Sequence, residues 1–384
     1  MVTMRKLAPL VAALLFPGTL LLAQATVTPP PLDFSGVLFG NFQWRTDDAA
    51  KLSTGGKPSS RFDVGRAYLT FRMPAGERGS IRITTDIFQQ SPSTYYSGWT
   101  VRLKYGFFQY DLTRNLAGVQ GLSALGRIGM LHTVVVEHIE TFWPRWLGSS
   151  AVEQNGFFSS ADVGAASLLT LPKRRGEAYF TITNGSNYSS GENDRFKDFA
   201  ARVSLTPFAS DSGLIRTFTI SPWYYKGWSA SAFVAPPTAV SDGLQKDRRG
   251  LFVGLRDRRI TGGAEFSQRL EGVETAGPPA RVVQTRTSNL LSGFALVRPM
   301  ELVDAKKRSS FGIVGRFDKF DSFSKNTSLP AGVLIPDNRF VVLGLFWDVN
   351  ARTTFALDYQ ELKNETAVAT FPGKTLFLHW VANF

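Results

Sequence analysis

The chain has 384 residues, a net charge of +12 at pH 7, 35 glycines, 31 phenylalanines, 8 tryptophans and no cysteine. Without cysteine, disulfides and thiolate metal centres are excluded. Beyond the leader no window holds the roughly 18 unbroken apolar residues of a spanning helix, so any membrane crossing is made by strands.

Glycine and aromatic richness at a mean hydropathy of −0.06 fit a closed sheet with one apolar and one polar face. The first segment reads as a leader. Arg5 and Lys6 precede an apolar stretch from Leu7 to Leu22, and Ala23-Gln24-Ala25 is a small-x-small cleavage site, so residues 1–25 are expected to be a cleaved secretory signal. Pro9 and Pro17 interrupt the stretch and weigh against an uncleaved anchor. Removal of Arg5 and Lys6 leaves 41 basic against 31 acidic residues, a net of about +10. That excess favours anionic partners: solutes, lipopolysaccharide or nucleic acid. Export removes nucleic acid from the natural ones. Residues 26–32 are then a short periplasmic segment, and 33–384 a single domain.

Strand-like segments recur from Asp33 to the end, near 33–45, 61–73, 79–89, 100–111, 122–132, 161–171, 176–184, 196–206, 213–226, 250–257, 259–270, 285–298, 310–319, 339–348, 351–361 and 374–384. Many have the roughly 9 to 11 residues of a tilted membrane strand. Several alternate with period two. Thr100 to Tyr110 sets Val101, Leu103, Tyr105 and Phe107 against Arg102, Lys104 and Gly106; Asp198 to Thr206 sets Phe199, Ala201, Val203 and Leu205 against Arg202 and Ser204. The connections alternate short and long, as in 74–78 after 46–60 and 172–175 after 132–160, although 112–121 and 299–309 are longer than that scheme wants. The expected fold is an all-β, transmembrane, up-and-down antiparallel β-barrel of about sixteen strands with both termini on the periplasmic side. The final segment, KTLFLHWVANF, would close against Asp33–Arg45 so that neither strand is left as an edge.

One phase of these strands carries Arg66, Arg72, Arg82, Arg102, Lys104, Arg127, Arg202 and Arg316. A charge facing hydrocarbon at mid-depth costs about 2–4 kcal/mol, so this phase is expected to face water inside the barrel. There it could form a positive stripe for anions. Alternatively it pairs with inward Asp86, Glu265, Asp318 and Asp358 in a rigid wall network, or binds lipid head groups at the rims. His132, Glu137, His138 and Glu140 lie close together, but their spacing matches no metal motif, and an extended run at Val134–Val136 would hold the two histidines some 20 Å apart.

The ending LFLHWVANF resembles the terminal strand of outer-membrane porins, in which Leu378, Trp380 and Phe384 would form the signal read by the barrel assembly machinery. DFSGVLFGNFQWR, FDVGRAYLTFRMP, RITTDIFQQ, VRLKYGFFQYDL, RIGML leading into EHIETFWPRW, ITNGSNYSSGENDRFKDFAARVSLTPF and GIVGRFDKFD together resemble the phosphate-selective porin O and P family. The resemblance runs from about Asp33 to Phe384 and is soft between about 227 and 310. It implies a sixteen-stranded trimeric pore, needing no cofactor, narrowed by a loop folded inward over about 132–160. That loop has Arg145 as its only basic residue and carries Glu137, Glu140 and Glu153. Its composition fits a general small-solute or mildly anion-preferring pore better than a strictly phosphate-selective one. Glu137 and Glu140 would project from the loop or tie it to wall arginines such as Arg127.

Two other classes of protein have requirements that can be set against this sequence. A surface adhesion or receptor barrel with a closed lumen would bind through the long loops, especially 227–249 and 322–338. An enzyme would need one of only three histidines; there is no G-x-S-x-G elbow, and GGKPSS at 55–60 lacks the phosphate-loop pattern.

Overall fold

The computed structural model describes residues 31–90, 98–113, 120–192, 194–229, 243–274, 283–322, 337–364 and 373–384. The expected signal segment 1–25 lies outside the described residues, as does most of 26–32. Sixteen strands follow one another: β1 (Asp33–Arg45), β2 (Ser59–Ala75), β3 (Gly79–Gln90), β4 (Gly98–Asp111), β5 (Ser123–His132), β6 (Ala161–Thr170), β7 (Gly176–Thr183), β8 (Asp198–Leu205), β9 (Thr219–Lys226, resumed at Trp228–Ser229), β10 (Leu244–Arg256), β11 (Ile260–Glu274), β12 (Val283–Val297), β13 (Phe311–Asp321), β14 (Asn338–Asp348), β15 (Thr353–Asn364) and β16 (Gly373–Asn383). The two pieces of β9 share one register on β10, Tyr225 opposite Arg248 and Trp228 opposite Gln245, so they form one strand.

Each strand pairs antiparallel with its sequence neighbours, and the sheet closes when β16 pairs with β1 from Val37 opposite Asn383 to Arg45 opposite Thr375. The amides and carbonyls of Gly36 and Phe384 exchange two further hydrogen bonds, of 2.8 and 2.9 Å. Closure leaves no edge, as hydrocarbon requires of any spanning sheet. The Phe384 ring lies over Gly36, where a Cβ would sit 2.3 Å from it and push the ring aside.

The two faces are inverted relative to a water-soluble protein. Val101, Ile128 and Leu343 are each 62% exposed on the outside, whereas Asp86, Arg269, Arg316 and Asp358 are buried inside. Aromatic rings collect at the end of the barrel that holds the termini, where Phe311, Trp347 and Phe355 follow one another and Phe34 meets Phe384. Interfacial aromatics belong at such a level.

Several local expectations need correction. The phase of β4 changes midway, because Tyr105 opposes Thr84 while Leu103 opposes Thr85, leaving Lys104 as an extra residue. A bulge of this kind turns the following residues over. Tyr105 and Phe107 therefore face inward and are buried, not outward with Val101 and Leu103. The 213–226 segment starts late: Leu214–Thr217 is a 3-10 turn entered at Gly213 with φ 99°, and the strand begins at Thr219. The loop expected at 227–249 is shorter, since LQKDRR at 244–249 is strand. Its charges read as loop because in a barrel the polar phase faces water from within a strand.

Candidate functional site

Inside the barrel, the β2–β5 wall is built from cations interleaved with rings. Asp86 receives Arg66 at 2.6 Å and Arg102 at 2.9 and 3.0 Å, and both guanidiniums lie over Phe88, at 4.8 and 4.2 Å. Arg82 lies 5.0 Å over Tyr105 and 3.4 Å from Glu137, which is also 2.8 Å from the imidazole of His132. Enclosure by itself would raise the Glu137 carboxyl, but the His132 hydrogen bond and the guanidiniums of Arg82 and Arg127 outweigh it and hold the group at about 2. Farther round, Arg202 reaches Glu177 at 2.6 Å, and Arg316 forks onto Asp318 at 2.6–3.0 Å. Arg72 meets Asp33 at 3.3 Å at the exposed end of its strand. Asp358 instead meets His379, at 3.2 Å.

Two of the eight cations differ. Among the described residues neither Lys104 nor Arg127 has a carboxylate within ion-pair reach. The Lys104 ammonium sits 4.1 Å over the Tyr68 ring, and Arg127 donates to Gln109 at 2.9 Å while lying 5.1 Å over Phe107. Aromatic faces offset part of the cost of holding a cation without neutralising it.

Residues 133–160 pack against the opposite side of the interior. Val135, Ile139, Trp143, Leu147, Val152 and Phe157 are buried in one cluster with wall residues that include Trp223, Phe252, Phe294, Phe320 and Phe340. Burying each such side chain is worth about 1.5–3 kcal/mol. Wall side chains then donate to the carbonyls of this segment: Arg202 to Val134 at 2.7 Å, Gln360 to Leu147 at 2.9 Å, Arg316 to Ser149 at 2.6 Å and Arg269 to Gly156 at 3.1 Å. At its centre Arg145 joins Glu140, Glu153 and the Tyr68 hydroxyl on β2. Burial would raise Glu153, but Arg145 and the Ser160 hydroxyl hold it below the usual range. The run expected to be extended at Val134–Val136 turns instead into a helix, Val136–Glu140. That geometry directs Glu137 and His138 to different partners, which no strand spacing would have suggested.

His138 is not placed as the base of a hydrolytic set. Nδ1 of His138 accepts from Arg202 at 2.7 Å, so its proton sits on Nε2 and is donated to Ser221 at 2.9 Å. That is the reverse of a general base. Burial and the Arg202 charge push this imidazole well below its usual 6.5.

A second basic group escaped the sequence reading. Lys246, Arg248, Arg269 and Arg286 face inward from β10–β12, and Glu271 lies 4.0, 3.5 and 3.8 Å from the three arginines. The two-residue spacing of Lys246 and Arg248, and of Arg269 and Glu271, was the available signal.

No protein-family model and no curated protein sequence matches this chain. Solved structures do. The anion-selective porin from Comamonas acidovorans is 11% identical with a TM-score of 0.55, covering 92% of this chain and 99% of its own. OprB of Pseudomonas putida is 10% identical with a TM-score of 0.60, covering 92% of this chain and 94% of its own. The outer membrane channel DcaP of Acinetobacter baumannii is 10% identical with a TM-score of 0.59, covering 94% of this chain and 99% of its own. The fold is thus a closed sixteen-stranded antiparallel barrel of the porin type. These likenesses do not single out the phosphate-selective O and P family.

Proposed function

We propose that this protein is a channel of the bacterial outer membrane through which small hydrophilic solutes diffuse passively, with a mild preference for anions. The observation that carries the reading is the inverted barrel: apolar outside, charged inside, with residues 133–160 docked on one side of the interior. A polar lumen of this kind needs no energy source or cofactor, because bore and field decide what passes. On this reading 133–160 is the constriction, with Arg145 as its clasp and Glu137 and Glu140 on its surface. The anion preference is supported by Lys104 and Arg127, which form no ion pair with a described carboxylate and are held instead against aromatic rings and Gln109. The other six cations are tied up by carboxylates, which supports a weak preference over phosphate selectivity. Assembly as a homotrimer, contact with lipopolysaccharide, and recognition of Leu378, Trp380 and Phe384 by the barrel assembly machinery belong to the same proposal.

The test is conductance in planar bilayers under a KCl gradient. Wild-type protein should conduct with a zero-current potential on the anion side, and Arg127→Gln combined with Lys104→Met should move that potential toward zero. Cation selectivity in the wild type, or a membrane that stays silent, would refute the reading.

A further inference from the structure

Between β6, β7, β9, β10 and the inner segment lies a cavity of about 460 Å³. Its charged groups are satisfied, with one exception. Lys246 donates to Asp198 at 2.8 Å and to the carbonyl of Gly185 at 2.7 Å. Asp162 accepts the backbone amides of Val163 and Gly185, each at 2.8 Å. Glu153 is joined to Arg145 and accepts from Ser160 at 2.7 Å. Arg248 remains. It is only 9% exposed, its Nε has no hydrogen-bond partner, and the nearest carboxylate, Glu271, is 4.0 Å away and shared with Arg269 and Arg286.

With its Nε buried and unbonded and its carboxylate neighbour at 4.0 Å shared by three arginines, the Arg248 guanidinium is only partly compensated for its lost hydration, a deficit that a bound anion removes. The rings of Phe158 and Tyr225 hold it at 5.2 and 4.9 Å, fixing its plane. Around it the cavity wall is hydroxyl- and amide-bearing: Thr133, Ser159, Thr181, Asn187, Tyr188 and Ser189. The hydroxyls of Thr133, Ser159 and Ser189 already donate to protein oxygens and so are left as acceptors, which the hydroxyls of a polyhydroxylated body can meet and a bare inorganic anion without a donor cannot. The volume is in the range of small-ligand sites.

We infer that this cavity is a binding site for hydroxylated carboxylates of monosaccharide size, the class of sugar acids, with Arg248 taking the carboxylate and the hydroxyl-rich wall taking the body. The inference rests on the channel reading only for the idea that the ligand is a passing solute.

The direct test is calorimetric titration of the detergent-solubilised full-length protein with potassium glucuronate, using glucose and inorganic phosphate as competitors. Binding should weaken by about tenfold or more in Arg248→Gln, the loss expected for one charge-assisted hydrogen-bonded contact. Arg248→Lys, which keeps the charge without the fork, should fall between. Glucose and phosphate should each compete poorly, since each offers half of the recognised chemistry. Equal binding by Arg248→Gln overturns the site, and competition by phosphate as strong as by glucuronate reduces it to a plain anion site and overturns the class. Should Arg248→Gln fail to fold, the competition series on wild type and the lysine variant decide the matter. Because the readout is equilibrium binding, a silent bilayer would strike the channel proposal alone, and a conducting protein that ignores glucuronate would strike only this one.

Discussion

At the scale of single residues, Asp86 is the charge on which the first basic wall turns. It is 1% exposed and lies between Arg66 and Arg102. Replacing it by Asn leaves two guanidiniums facing each other with no counterion. Removal of one partner from such a group costs about 1–3 kcal/mol, so Asp86→Asn should lower the urea midpoint of detergent-solubilised protein while increasing the anion preference measured in a KCl gradient. Opposite signs in the two measurements distinguish loss of an ion-pair network from a general loosening. His138 supplies a second residue-scale expectation. It is neutral in the folded chain because burial and Arg202 depress its pKa, whereas in the unfolded chain it protonates near the usual 6.5. The unfolded state therefore takes up more protons as pH falls below about 6.5, and stability is lost in that direction. Melting temperatures between about pH 7 and pH 5 should fall with acidification, and His138→Gln should flatten that slope.

At the scale of elements, the segment 133–160 behaves as a small core of its own, held to the wall by rings and by donors that capture its carbonyls. Trp143 is its largest buried side chain, 1% exposed, with Arg316 stacked 4.8 Å over it and Phe294 5.3 Å away. Trp143→Ala removes an aromatic worth about 3–5 kcal/mol in a packed site. The barrel ladder does not depend on it, so the expected outcome is a protein that still melts as a barrel but shows a larger, noisier single-channel conductance. Unchanged conductance would mean that the segment does not set the bore. The sequence pointed to this segment by its length and by the porin resemblance, which implied an inward loop. Its helix Val136–Glu140 and its docking face were not legible, because they depend on rings from β9 to β14 that lie far away in sequence. The bulge in β4 was hidden for a related reason: one extra residue changes no composition and breaks no run, yet it turns Tyr105 and Phe107 from the outside to the inside.

At the scale of the whole molecule, the outer face is what makes the barrel a membrane object. Leu343 stands midway along β14 and is 62% exposed. Arginine at that depth on the hydrocarbon side costs about 2–4 kcal/mol, so Leu343→Arg should lower reversible unfolding stability in phospholipid vesicles by that amount. The penalty should shrink in a detergent micelle, which lets water reach the group. A penalty of equal size in both media would mean that this face does not meet lipid.

The order, number and pairing direction of the strands could be read from the chain itself, because a sheet with lipid on one side and water on the other imposes a period of two on every strand and a turn between each pair. The same rule exposed the inward phase that carries Arg66, Arg82, Arg102, Arg202 and Arg316. What the rule cannot convey is which of those charges is neutralised. Asp86 finds Arg66 and Arg102, Arg316 finds Asp318, and Lys104 and Arg127 are left without an ion-paired carboxylate among the described residues only once closure has set strand against strand and the inner segment has occupied one side. Ion pairing acts over a few ångströms across neighbouring strands and a docked loop, and distances of that kind come into being only in the folded barrel.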